Sequence, residues 1–128
     1  MKRITAEQVV EAYKKTGLTP IQDHWFAKTS SSPCGCGLTA VAMAKGLTEV
    51  YRLDISLPVR IRNTLAIPYP YMDGFSTGFD GDELVEREAY ESDEDWELYQ
   101  LGHDDGMSAW EAVDQHFDKT INLGGIWV

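Results

Sequence analysis

The chain has 128 residues, of which 43% are apolar and 25% are charged, and this composition is typical of one globular domain rather than of a disordered segment. Its formal net charge of −10 argues against nucleic acid or an anionic membrane as the main partner, since both would repel it. We therefore expect no direct nucleic-acid binding and no membrane association.

The N-terminal sequence and the cysteine content indicate a cytoplasmic protein. A carboxylate, Glu7, follows the first basic residues without an intervening apolar stretch, which is unlike a secretory signal. The two cysteines are too few and too close together for the disulfide framework of a small secreted protein.

The N-terminal third of the chain is expected to form two helices joined by a loop. The first helix is predicted over residues 5–16, because a threonine that suits the N-cap starts it and a glycine follows its end. Residues 18–32 are predicted to be a loop. The second helix is predicted over residues 33–46, because it begins with a proline, which suits the first helical position.

The middle of the chain fits both strand and helix patterns. Apolar and polar side chains alternate over residues 50–57, which predicts a half-buried strand. Leu57, Ile61 and Leu65 are spaced by four residues, which favours a short helix over residues 58–66.

A glycine-containing motif occurs twice, 28 residues apart. A third helix is predicted to start near Pro70, and the pattern Tyr-x-x-Gly-x-x-x-Gly begins in it at Tyr71 and again at Tyr99 in the last helix. Glycine destabilises a helix interior by about 1 kcal/mol relative to alanine. Four glycines at matched spacing therefore predict that the two helices approach closely, with each tyrosine over the glycines of the other helix.

The last helix is predicted to begin after Ser92, in a sequence that resembles a capping box. Its apolar residues are separated alternately by three and four positions, which indicates a helix that packs against the protein along its whole length. They are Trp96, Tyr99, His103, Gly106, Trp110, Val113 and Phe117. The tail over residues 121–128 is predicted to be a short strand or a docked extension. Together, these elements predict a single mainly α domain over residues 1–128, of the α+β type, with about four helices and a small β element.

Negative charge is concentrated in the C-terminal part of the chain. Residues 1–79 carry nine basic and six acidic residues, whereas residues 80–128 carry two basic and fifteen acidic residues. On the last helix the acidic residues fall between the apolar positions and therefore form its outer face. This face is either a solvated surface that aids solubility or a docking surface that steers a cationic protein towards it.

Of these two interpretations, we expect the docking surface. The protein would then be non-enzymatic and would bind a basic protein partner through this acidic helical face. Proteins of the inhibitor, immunity, anti-defence or regulatory type act in this way. Electrostatic capture would be followed by burial of a few aromatic side chains as hot spots. No cofactor is expected. The residues expected to contact the partner lie where the charge density is highest, and they are Glu91, Asp93, Glu94, Asp95, Glu97, Asp104 and Asp105.

The loop that contains Cys34 and Cys36 supports an alternative, a small thiol-dependent enzyme or a redox or metal protein. A helix N-terminus lowers the pKa of a thiol, so either cysteine could act as a nucleophile that alkylates rapidly at pH 7. Both cysteines and His24 are also candidate zinc ligands, but together they leave the tetrahedral site incomplete. The simplest interpretation is that the two cysteines are small buried side chains at a close contact between helices.

Two further motifs resemble parts of metal sites. His103 precedes two aspartates but lies on the apolar stripe, so we interpret it as a hydrogen-bonded core histidine. Residues 80–83, with the sequence Asp-Gly-Asp-Glu, resemble the start of a calcium-binding loop, but no glycine follows at position 6 of that loop. Neither motif is expected to hold a metal ion.

Overall fold

The computed structural model describes residues 1–28, 33–50 and 56–117, together with the backbone of residues 126–127. Within these ranges the protein is mainly α-helical with one small sheet, as the sequence predicted. None of the helices in the described part of the chain is both long enough and apolar enough to cross a membrane.

Five α-helices and one short 3₁₀ turn occur in the described ranges. They are α1 (Ala6–Thr16), α2 (Gly37–Ala44), α3 (Leu57–Leu65), α4 (Tyr69–Phe79), the 3₁₀ turn (Arg87–Ala89) and α5 (Asp93–His116). The predicted caps of the first helix are confirmed, because the Thr5 hydroxyl accepts a hydrogen bond from the Gln8 amide at 3.1 Å and Gly17 adopts a left-handed conformation with φ of 72°.

The small sheet contains four short strands: β1 (Thr19–Pro20), β2 (Phe26–Lys28), β3 (Pro33–Gly35) and β4 (Ile126–Trp127). Their order in the sheet is β1-β3-β2-β4, with β3 parallel to β1 and antiparallel to β2, and with β4 antiparallel to β2. Of the two alternatives predicted for the C-terminal tail, a short strand or a docked extension, the described residues 126–127 form the strand.

The sheet overturns two predictions for the N-terminal third. Residues 18–32 are not simply a loop, because they contain β1 and β2. The second helix does not begin at Pro33, because residues 33–35 pair with both of those strands and the helix starts only at Gly37. Proline has no amide hydrogen to donate, but it is tolerated as the first residue of a strand, so Pro33 suits the start of β3 as well as the start of a helix.

The predicted strand at residues 50–57 falls largely on residues 51–55, which lie outside the described ranges. The short helix that was predicted next to it is confirmed as α3, which begins at Leu57 and ends at Leu65. Ser56 caps α3 by accepting a hydrogen bond from the Val59 amide at 3.4 Å.

The core lies where α1, α2, α4 and α5 meet. The largest fully buried side chains are Tyr13, Tyr71, Tyr99, Phe26, Phe75, Phe79, Leu38 and Ile61. Aromatic rings therefore occupy much of the interior, and the Phe79 ring packs edge-on against the Trp110 ring at 5.2 Å between centroids.

The predicted close approach between the two glycine motifs is confirmed as a direct contact of α4 with α5. A Cβ atom built on Gly74 would clash with the carbonyl oxygen of Tyr99, and one built on Gly102 would clash with the carbonyl oxygen of Tyr71. The same holds one turn further along, where Gly78 and Gly106 face backbone carbonyls of the opposite helix. The glycines thus contact the backbone of the opposite helix. The expectation that each tyrosine ring lies over the glycines of the other helix was wrong.

The register of these contacts shows that α4 and α5 run parallel. Gly74 faces the carbonyl of Tyr99 and Gly78 faces that of His103, so both helices advance by four residues in the same direction. Residues 80–92 therefore return along the helix pair to the start of α5, and their position beside α5 shapes the candidate site.

Candidate functional site

The outer face of α5 carries a row of carboxylates. Asp93, Glu97, Asp104 and Glu111 are exposed and are spaced by four, seven and seven residues, which places them on one side of the helix. At 1.5 Å per residue, the row is about 27 Å long. No lysine or arginine occurs between Asp93 and His116, so no basic side chain of α5 neutralises it.

The start of α5 adds further negative charge to this row. The Ser92 hydroxyl caps the helix by accepting a hydrogen bond from the Asp95 amide at 3.1 Å. Glu91 and Glu94 are exposed, whereas Asp95, which was also predicted to contact the partner, is half-buried and does not belong to the exposed surface. The helix dipole stabilises carboxylates in the first turn, which explains how so many of them are accommodated there.

One of the predicted contact residues at this end already has a partner within the chain. Arg87 lies 2.5 Å from the Asp93 carboxylate and also donates a hydrogen bond to the carbonyl of Tyr90 at 2.5 Å. Asp93 is almost fully exposed, so this ion pair stabilises the fold little and leaves the carboxylate accessible.

Asp104 and Asp105 are neighbours in sequence but have different surroundings. Asp104 is exposed in the outer row. Asp105 has a side chain that is only 13% exposed, it forms two hydrogen bonds with the Arg3 guanidinium, and it accepts another from the Tyr71 hydroxyl at 2.5 Å. Tyr71 in turn accepts a hydrogen bond from the Ile4 amide at 2.8 Å. Asp105 therefore ties the N-terminus to α4 and α5, and we leave it out of the candidate surface.

Residues 80–92 are held against the helix pair by buried aromatic and imidazole groups. The Nε2 atom of His103 donates a hydrogen bond to the carbonyl of Asp82 at 2.8 Å, since a carbonyl can only accept. The Tyr99 hydroxyl accepts a hydrogen bond from the Val85 amide at 3.1 Å. The prediction that His103 is a hydrogen-bonded core histidine is thus confirmed.

A groove runs between this segment and α5, and its lining includes Leu84 and Met107, for which the sequence predicted no role. It has a volume of about 310 Å³ and is lined by Gly81, Asp82, Glu83, Leu84, His103 and Met107. Leu84 and Met107 are 44% and 46% exposed. A signal for Met107 existed in the sequence, because it is an apolar residue that lies off the apolar stripe of α5, on the acidic side.

The two cysteines are buried and free. Cys34 lies in β3 and packs with Ile21 and Ala27, so it is part of the sheet and not of the predicted contact between helices. Cys36 is the N-cap of α2 and forms no side-chain capping hydrogen bond.

The surroundings of Cys36 keep its thiol protonated. The Thr39 hydroxyl donates its proton to the carbonyl of Trp25 at 2.7 Å, so in its 3.4 Å contact with the same hydroxyl the Cys36 thiol is the donor. Burial raises the pKa of Cys36 to about 11. A reactive thiolate requires the opposite shift, so burial of Cys36 does not favour a thiol-dependent activity at this cysteine.

Cys36 does share a small cleft with His24. The cleft has a volume of about 120 Å³, and its lining also includes Asp23, Asp80 and the aromatic residues Trp25, Phe75 and Phe79. In the described ranges, one group of three possible metal-ligand side chains occurs, formed by Asp23, Asp80 and Asp82, and neither cysteine nor His24 belongs to it. Two residues of the calcium-loop motif thus do lie together, although with Asp23 from another part of the chain.

Comparisons with known protein families, with curated proteins and with solved structures found no match for this chain. Its function is therefore inferred from the surface that α5 and residues 80–92 create.

Proposed function

We propose that this protein is a non-catalytic binding module that captures a basic protein partner through the acidic face, which we define as Glu91, Asp93, Glu94, Glu97, Asp104 and Glu111. The observation that carries the proposal is the outer row of α5, in which four exposed carboxylates extend over about 27 Å on a helix without lysine or arginine, with Arg87 beside Asp93 at one end. Such a row attracts a cationic surface and repels an anionic one.

Electrostatic attraction would act mainly on the rate of encounter. Charged faces of this kind raise association rates by about 10 to 1,000 times at low ionic strength, and salt screens the effect over about 10 Å at 0.1 M. Nucleic acid and anionic membranes are unsuited as partners for the same reason. We place the protein in the cytoplasm, a location with which its two free cysteines are compatible.

The proposal is tested with two variants of equal net charge. The face variant carries Glu97→Gln, Asp104→Asn and Glu111→Gln, and the control variant carries Glu7→Gln, Glu11→Gln and Glu49→Gln in the N-terminal part. All six positions are exposed, and each variant removes three negative charges.

Each protein is purified from the native host at low salt and is examined by native mass spectrometry. We expect a basic polypeptide to accompany the wild type and the control, to be lost at high salt, and to be absent from the face variant. A partner that binds all three proteins equally, or the absence of any polypeptide partner, would contradict the proposal.

A further inference from the structure

We propose that the partner presents a basic amphipathic helix and inserts one of its apolar side chains into the groove between residues 81–85 and α5. This inference rests on the proposed function and adds to it the chemical character of the partner. Its basis is an exposed apolar surface, formed by Leu84 and Met107, that lies next to the acidic face in the described structure.

Hydrogen bonds on the inner side of the groove hold its wall in place before any partner binds. His103, which is buried, donates its hydrogen bond to the carbonyl of Asp82 from the floor of the groove. The amide of Asp82 donates to the carbonyl of Thr77 at 3.0 Å, and the amide of Val85 donates to the Tyr99 hydroxyl at 3.1 Å. The wall formed by residues 82–85 is thus fixed to both helices, and a partner would not have to order it.

Exposed apolar side chains concentrate at this groove. Six large apolar residues of the described chain are exposed, and three of them, Leu84, Val85 and Met107, lie in or next to the groove. Leu84 and Met107 line it from opposite sides, one on the returning segment and one on α5. An unbranched methionine beside a leucine adapts to many apolar side chains.

Carboxylates surround these apolar side chains. Glu83 lines the groove itself, while Asp104 and Glu111 lie three residues before and four residues after Met107 on the exposed side of α5. Arg87, the basic side chain of the described residues 80–117, is engaged with Asp93 and Tyr90.

This combination selects a partner by charge complementarity. An apolar anchor surrounded by carboxylates fits a segment whose own apolar side chain is surrounded by lysine or arginine, as on one face of a basic amphipathic helix. A second copy of this chain is an unsuitable occupant, because each copy carries a net charge of −10.

The test uses two synthetic peptides of equal length and equal positive charge. One is an amphipathic helix of lysine and leucine, and in the other all leucines are replaced by glutamine. The full-length protein is labelled at its methionine methyl groups with carbon-13 and is titrated with each peptide at low salt. Its four methionines provide internal controls, since Met43 and Met72 pack in or against the core and Met1 lies at the N-terminus.

We expect the leucine peptide to shift the Met107 methyl resonance saturably and the methyl groups of Met43 and Met72 to stay unchanged. Met107→Gln and Leu84→Gln should each weaken binding of the leucine peptide about tenfold and leave binding of the glutamine peptide unchanged. The Met107→Gln variant also assigns the Met107 methyl resonance, which is missing from its spectrum. Val59→Gln, at an exposed position of α3, is the matched control and should change neither affinity.

The possible failures separate the two proposals. Equal affinity for both peptides, or a Met107 resonance that does not move at saturation, would overturn the groove while leaving the acidic face in place. If neither peptide binds at low salt, the acidic face itself is overturned, and the groove proposal with it.

Discussion

The carboxylate of Asp80 is less stable in its charged form in the folded protein than it would be in water. It lies at the end of α4, where its side chain accepts a hydrogen bond from the Asp23 amide at 2.8 Å. Burial, together with the nearby carboxylates of Asp23 and Asp82, outweighs that hydrogen bond and raises the pKa of Asp80 to about 6 from an ordinary 3.8. The folded state therefore holds this proton more tightly than the unfolded state does.

The sign of this shift predicts the behaviour of Asp80→Asn. The stability that the bound proton contributes is fully present below about pH 4 and is lost as the pH rises through about 6. Asparagine remains neutral and can still accept the hydrogen bond from Asp23. We expect the variant to match the wild type at pH 4 and to be more stable by about 1 kcal/mol at pH 7.5, a value reduced for solvent screening.

Urea unfolding at several pH values measures this difference directly. At each pH, the free energy of unfolding of the wild type is subtracted from that of Asp80→Asn. The change of this difference with pH reports on Asp80, because the other carboxylates titrate in both proteins. An equal gap at all pH values would show that the charge of Asp80 is not costly in the folded state.

Among the elements, α4 and α5 depend most on glycine. Their glycines face carbonyl oxygens of the opposite helix, and the two backbones approach so closely that a Cβ atom at any of the four glycines would clash with one of these oxygens. The contact is reciprocal, since the same motif supplies both the glycines and the facing carbonyls. It fixes both the parallel direction and the register of the pair.

Alanine at Gly74 or Gly102 is therefore expected to destabilise the protein. In an ordinary helix this change stabilises by about 1 kcal/mol, but here the added methyl group would force two backbones apart. We expect a loss of about 2–3 kcal/mol for each variant, the upper part of the usual range for overpacking.

The midpoint of urea unfolding checks this expectation, with Ser108→Ala on the exposed side of α5 as the control. The control should lie within about 0.5 kcal/mol of the wild type, as surface substitutions usually do. A Gly74→Ala variant that is more stable than the wild type would show that the two helices do not meet at these glycines.

At the scale of the whole molecule, charge is divided along the chain. The first 79 residues carry a net charge of +3 and the remaining residues a net charge of −13. Arg3 and Asp105 join the two parts by an ion pair, but most of the acidic residues from 82 to 97 are exposed. Repulsion among them opposes the compact state.

Salt should therefore stabilise this protein. Between 0.02 and 0.5 M sodium chloride we expect the thermal unfolding midpoint to rise by a few degrees, because screening weakens repulsion between exposed carboxylates. The face variant, with three fewer negative charges on α5, should show a smaller rise. A midpoint that falls with added salt would mean that attractive ion pairs dominate the described surface.

The sequence by itself determined the features that depend on nearby residues. The caps at Thr5, Gly17 and Ser92, the apolar stripe of α5 and the acidic character of its outer face all follow from local spacing and side-chain chemistry. The repeated glycine motif also predicted the helix contact, because glycine in a helix interior costs stability unless a neighbour requires it.

Only the tertiary structure decided the features that join distant parts of the chain. Pro33 begins a strand because residues 33–35 pair with β1 and β2, and Asp105 is withdrawn from the acidic face because Arg3 and Tyr71 reach it. The groove exists because the returning segment places Leu84 beside Met107. Each of these outcomes depends on contacts between residues far apart in sequence, which local propensity does not encode.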